Sequence, residues 1–192
     1  MSAGSGIIHS EMPTADSDGF HGFQLWVNLP AARKMEPPRY RDIPASELPS
    51  ARGEGYELKA IAGHWALAGN ETTGPLTELA DLAAVADLNL ASGGRVDMTT
   101  PGHESVLAYV HEGALLVDGQ SVGPGHMLVT GQGHSWSLAA AAEGACVLLL
   151  RGDPIREPVA NYGPFVMNTM EEIDTAIREY QNGEFVKTGS GG

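Results

Sequence analysis

The sequence predicts an all-β chain with one short C-terminal α-helix, and three observations carry that reading. Short apolar runs recur between Val106 and Leu150, each too short for a globular helix and each bounded by turn residues. Glycine (25) and proline (12) are abundant among the 192 residues, as many tight turns require. Only the stretch from Met170 carries a helical stripe with both a start and a stop signal.

Ile7 and Ile8 are β-branched and Pro13 follows them, which suits a short strand. After the polar loop Thr14 to Gly22, Phe23, Leu25 and Val27 alternate with Gln24, Trp26 and Asn28, the period of a second strand. Residues 30–52 hold Pro30, Pro37, Pro38, Pro44 and Pro49 and read as an extended linker or surface loop packed by Tyr40 and Ile43. Tyr56 to Ala68 returns to strand spacing, with Leu58, Ile61 and Trp65 as expected buried anchors. In residues 75–86 the alanines favour helix, but the Leu88/Leu90 alternation outweighs them and predicts a strand near Val85 to Leu90.

From Val96 a meander is expected, with strands at Val106–Val110, Ala114–Asp118, Met127–Thr130, Ser135–Ala139 and Ala145–Leu150. Gly113, Asp118-Gly119, Gly123-Pro124-Gly125 and Gly131 punctuate it, arguing for a small antiparallel barrel or sandwich. Thr169 with Glu172 forms a capping box; Ile173, Ala176, Ile177 and Tyr180 share one helical face, and Gly183 can stop the helix. The expected division is 1–68, 69–168, a helix over 169–183 and a disordered tail over 184–192.

A net charge of −13 repels phosphate backbones and anionic membranes, so neither nucleic acid nor membrane is an expected partner. The lone Cys146, in an apolar run, reads as a buried inert thiol. A cytoplasmic protein is expected: there is no secretory leader pattern and no segment of the ~20 apolar residues that span a bilayer.

Chemistry concentrates in His9-Ser10-Glu11. On a strand, residues two apart project to one face, so an imidazole nitrogen and a carboxylate oxygen would lie side by side. That pairing suits iron(II), manganese or another divalent transition metal in a site that keeps open positions. No Gly-x-Ser-x-Gly elbow occurs, and the Gly-x-Gly strings do not precede helices. His21 and His64 read as surface or barrel-mouth residues, and His134 as a structural one.

The strings Ser5 to Pro13, Gly22 to Pro30, Gly152 to Val159 and Tyr162 to Thr169, with Tyr40 and Asp42-Ile43, resemble the signature of the pirin family of bicupin proteins. The resemblance implies two cupin (jelly-roll) barrels, the first incomplete here. It also implies one iron in the first barrel, held by His-x-His and, roughly forty residues later, His-x-Glu. His9 and Glu11 align with the second pair, and the first pair would lie before Met1. In the second barrel Tyr109 to Gly113 resembles a cupin motif's closing end, but the ligand positions near Thr99, Pro101 and Ser105 or Val106 hold no ligand, and His103 is out of register.

The implied activity is an iron-dependent quercetin 2,3-dioxygenase type of oxidation on a flavonol-like molecule, with metal held only if the half-site is completed. One alternative is a non-catalytic interaction or transcriptional co-regulator module that binds a transcription factor or metabolic enzyme. Another is a truncated gene product that pairs as a homodimer through exposed strand edges.

Overall fold

The computed structural model describes residues 1–12, 21–77, 83–100, 105–131 and 133–187. These form two compact units, one of residues 1–41 with 155–192 and one of residues 42–154. The expected boundary at Ala68/Gly69 instead falls in the turn joining two paired strands, where both residues adopt positive φ (44° and 85°).

The larger unit holds ten strands: β1 (Ser50–Gly53), β2 (Tyr56–Ala62), β3 (His64–Leu67), β4 (Asn70–Thr73), β5 (Ala83–Leu90), β6 (Arg95–Thr99), β7 (Ser105–Val117), β8 (Gln120–Val122), β9 (Met127–Val129) and β10 (Ser135–Gly152). Their order is β1-β2-β5-β10-β6-β3-β4, with β7 also on β10 and with β8 and β9 on β7. The path nearly closes into a barrel. At the seam the Asn70 amide on β4 donates to the Arg52 carbonyl on β1 (3.3 Å) and to the Tyr56 hydroxyl (2.9 Å).

Alternation decides what fills the barrel. Tyr56, Leu58 and Ala60 of β2, Leu88 and Leu90 of β5, Ala108 and Val110 of β7, and Val147 and Leu149 of β10 all point into one core. Trp65 is sealed there at 2% exposure, its indole N–H donating to the Ala62 carbonyl (3.1 Å) and the Arg151 guanidinium lying 5.0 Å from its ring centroid. Ile61, expected as an anchor, packs instead on the outer face of the sheet, beside Val85 and Leu148.

Two pairs of expected strands are single long ones. Gly113 does not turn the chain but lies inside β7, opposite Ala145 at a register shift. Its φ is +65°, and a Cβ there would sit 2.1 Å from the Gly144 carbonyl oxygen. This close approach of two backbones lets β7 and β10 run on where the sequence suggests a break. Asp118-Gly119, by contrast, is the expected two-residue hairpin turn, with φ of 50° and 76°.

The smaller unit holds the hairpin β11 (Ala160–Tyr162) and β12 (Phe165–Met167) followed by helix α1 (Met170–Asn182). The capping box is formed: the Glu172 amide donates to the Thr169 hydroxyl oxygen, and the Thr169 amide to the Glu172 carboxylate. Gly183 ends the helix at φ 76°. Residues 184–187 are not a loose tail: Phe185 packs edge-on against Phe165 and Tyr180, and Lys187 pairs with Glu179 at 2.7 Å. The rest of the expected tail, residues 188–192, lies outside the described residues, as does most of the loop over 14–22.

Neither strand expected before Pro30 forms among the described residues. The one backbone bridge of this stretch joins Ser2 to Arg39. Ile8 (65% exposed) and Trp26 (66%) face solvent: alternation supplies a face, but a strand also needs a neighbour. In the proline-rich stretch Tyr40 is 61% exposed, and the chain forms short 3₁₀ turns at Ala31–Arg33 and Ala45–Glu47. No helix among the described residues is long and apolar enough to cross a membrane.

The two glycine environments predict unequal costs. Gly119→Ala, with open space around it, should lose about 1 kcal/mol from left-handed strain alone. Gly113→Ala should lose at least twice that in urea denaturation, and equal losses would refute the close-approach account.

Candidate metal centre

The smaller unit positions the two predicted donors from a short anchored segment. The Ser5 amide donates to the Glu36 carbonyl (2.8 Å) and the Gly6 amide to the Ala3 carbonyl (2.9 Å). Gly4, at φ +48°, lies so close to Glu36 that a Cβ would meet its carbonyl oxygen at 2.1 Å. From this anchor the chain runs out through Ile7 and Ile8 and presents His9 and Glu11.

Their side chains meet: His9 Nδ1 lies 3.8 Å from Glu11 Oε1. The other carboxylate oxygen accepts from the Gln24 amide at 3.5 Å, a long contact from the second N-terminal stretch. His9 is one-third exposed and Glu11 71% exposed at the side chain. With Nδ1 turned to Glu11, Nε2 is the imidazole nitrogen facing away from the pair. An imidazole and a carboxylate fit a divalent transition ion in kind. They fall short in number: among the described residues no group of three or more His, Cys, Asp or Glu is placed to hold a metal ion.

Among the described residues, the side chains of His21, His64, His111 and His126 make contacts elsewhere. His64 Nδ1 contacts the Thr73 hydroxyl (3.1 Å), and its Nε2 lies 3.9 Å from Glu71. His111 Nε2 faces Asp87 Oδ1 at 3.5 Å, and His126 Nδ1 contacts the Gly123 carbonyl oxygen at 3.0 Å. His21 packs edge-on against Phe23, and the His134 carbonyl accepts from the Thr100 amide. His103 and Pro101 lie outside the described residues.

Among the described residues the barrel interior offers no donor set. Among its described residues Thr100 is the buried polar side chain, accepting from the Trp136 indole N–H and donating to the Gly133 carbonyl, both at 3.0 Å. Cys146 is half-buried on the outer sheet face rather than in the core. Burial, with Glu112 and Asp87 adding to it, pushes its thiol up and keeps it protonated.

Sequence reasoning missed the most buried charge. Lys34, 5% exposed, donates to the Asn28 side chain (2.6 Å) and reaches the Val166 carbonyl (3.5 Å). Nearby, the Glu157 carboxylate accepts from the Ala31 amide (2.7 Å) and the Asn168 amide (3.1 Å). Together these ties fasten the 28–34 stretch to the C-terminal block. A lysine in a proline-rich loop gives no sign of burial, because the C-terminal block it reaches, at Val166, lies 132 positions away in sequence.

The nearly closed antiparallel barrel of the larger unit defines a cupin-like class of protein. Residues 85–186 match the Pirin C-terminal cupin domain, and residues 1–27 match Pirin. The chain belongs to the pirin family. It is 44% identical over 187 residues to a Vibrio cholerae protein provisionally named a quercetin 2,3-dioxygenase, covering 96% of this chain and 66% of that one. It is 36% identical to Pirin-1 of Arabidopsis thaliana, covering 95% of this chain and 63% of that one. A crystal structure of quercetin 2,3-dioxygenase from Acinetobacter baumannii superposes with a TM-score of 0.73 at 34% identity, covering 86% of this chain and 56% of that one. The chain thus spans just under two thirds of the length of these two relatives.

The Lys34 network predicts a pH dependence. Burial holds the Lys34 ammonium below the usual lysine range, with Glu157 and Glu172 pulling the other way. The unfolded chain therefore keeps this proton to higher pH than the folded protein, so folding gains stability as pH rises through that window toward 10.5. The stability of wild type minus that of Lys34→Met, from urea unfolding, should increase as pH rises toward 10.5. A flat or falling difference would refute it.

Proposed function

We propose that this chain is a divalent-metal cupin protein of the pirin type, with His9 and Glu11 as two donors of a centre that oxidises a flavonol-like substrate when its remaining ligands are supplied. The observation that carries the reading is the meeting of the two side chains at 3.8 Å on one exposed segment. Supporting it are the 44% identity to the Vibrio protein and the 34% identity to the Acinetobacter enzyme.

His9 would bind through an imidazole nitrogen and Glu11 through a carboxylate oxygen. Iron(II) or a similar ion would supply Lewis acidity toward a substrate hydroxyl and one-electron chemistry toward dioxygen. Glu11 can also take a proton from such a hydroxyl, and the Gln24 amide helps hold that carboxylate in place. The filled interior of the ten-stranded barrel leaves this chemistry to the smaller unit.

A second reading, a non-catalytic module that binds a protein partner, draws on that apolar barrel and on the net charge of −13, which suits a partner with a basic patch.

Metal analysis after anaerobic loading with iron(II) decides the first reading. Wild type should retain iron after desalting, and His9→Ala and Glu11→Ala should each lose at least about 10-fold of it. Retention no greater in wild type than in the variants would end the metal reading. Metal retention without dioxygen-dependent loss of quercetin absorbance would leave a metal-binding protein and remove the oxidation.

A further inference from the structure

We infer that β9 is a docking edge for another protein: an extended segment, apolar in its middle and basic at its ends, adds to the barrel as one further strand. This rests on the second reading of the chain, as a protein-binding module, and adds the surface used and the chemistry of what it binds.

The first argument is the backbone. Among the described residues β9 pairs with β7 alone. The His126 carbonyl accepts from the Val110 amide and the Thr130 amide donates to the Val106 carbonyl, both at 3.0 Å. Alternate residues of a strand turn their N–H and C=O groups to opposite edges, so His126, Leu128 and Thr130 serve β7. The amides and carbonyls of Met127 and Val129 face the other way, along the rim of the sheet. An extended chain is the ligand whose own N–H and C=O groups repeat at the spacing of such an edge.

The second argument is the side chains. Leu128 packs toward the core, whereas Val129 is 72% and Met127 49% exposed. The register sets Val129 beside Leu107 and Met127 beside Tyr109, with Leu150 and Leu148 next on β10. The outer face thus carries two apolar rows that end uncovered at the rim. Side chains two apart on an added strand would extend both rows.

The third argument is charge. From Gly119 to Ala142 the chain has no Asp, Glu, Lys or Arg, although residues 42–154 hold fourteen acidic and four basic residues. Edge strands are commonly guarded against added strands by lysine or proline, and β9 carries neither. Acid stands beyond both ends of the rim. At one end Glu112 lies past Val110, the partner of His126; at the other Asp153 follows Gly152, which pairs with Ser105, one position before the Val106 that bonds Thr130. An apolar middle suits the uncharged rim, and basic ends suit these carboxylates. A second copy of this chain lacks that complementarity, since each carries −13.

The probe is a dye-labelled peptide with valine and threonine alternating through its middle and two lysines at each end. One control has glutamate in place of lysine, and another is N-methylated at every middle residue and cannot pair as a strand. Binding to the 192-residue chain is read by fluorescence anisotropy, and oligomeric state by light scattering. The lysine peptide should bind at least about 10-fold more tightly than either control, and more weakly as salt is added. Hydrogen exchange at the Met127 and Val129 amides should slow when it binds. Val129→Pro removes an amide that faces the rim and no ladder bond to β7, while Val129→Lys keeps the amide and adds like charge. Each should weaken binding at least about 10-fold with circular dichroism unchanged.

Equal binding to wild type and both variants overturns the β9 site and leaves the protein-binding reading standing at another surface. Equal binding of the lysine and N-methylated peptides overturns strand addition. A dimer that protects the Met127 and Val129 amides without peptide makes the occupant a second copy and overturns the inference. No binding of the lysine peptide at millimolar concentration overturns the site and the basic-partner reading together.

Discussion

The structure depends on one long strand. β10 takes β6 along its first half and both β5 and β7 along its second, so three of the barrel's strands take their register from it. Buried amides and carbonyls must be paired, and a strand used on both edges satisfies them without exposing an edge. Its register also fixes the core. Val147 and Leu149 point inward beside Val110 and Leu88, and a slip of one residue would turn them to the outside. The approach of Gly113 to Gly144 allows the chain to shift register there and continue.

What was legible in the sequence follows from how local each cause is. The helix was readable at residue level, because its cap, apolar stripe and left-handed stop lie within about four turns of chain. The hairpin at Asp118-Gly119 was readable for the same reason, and so was the Val85–Leu90 strand, where period-two alternation outweighed the alanines. Gly113 was misread as a turn because its role is set by Gly144, 31 positions away and visible only when the strands are paired. The alternation at Phe23 to Val27 was misread as a strand because pairing depends on a neighbour that alternation does not specify.

The same distinction runs through the candidate centre. That His9 and Glu11 lie side by side was legible from their spacing, and the structure brings them together. It does so without the strand from which that geometry was argued; the anchor of Ser2 and Ser5 on the 36–39 loop, with Gly4 in close approach to Glu36, takes the strand's place. The contact from Gln24 and the reach of Lys34 to Val166 were not legible, since each joins separate stretches of chain. In the larger unit the core is apolar, with Thr100 as the buried polar side chain among its described residues.

The three tryptophans sit in three different surroundings. Trp26 is two-thirds in water in the smaller unit, Trp65 is sealed in the barrel beneath a guanidinium, and Trp136 is half-covered with its ring nitrogen tied to Thr100. Native emission is therefore a composite of one red-shifted fluorophore open to acrylamide and two shielded ones. A neutral quencher would silence the first while leaving the barrel's signal, so melting of each half of the molecule can be followed optically without attaching a label.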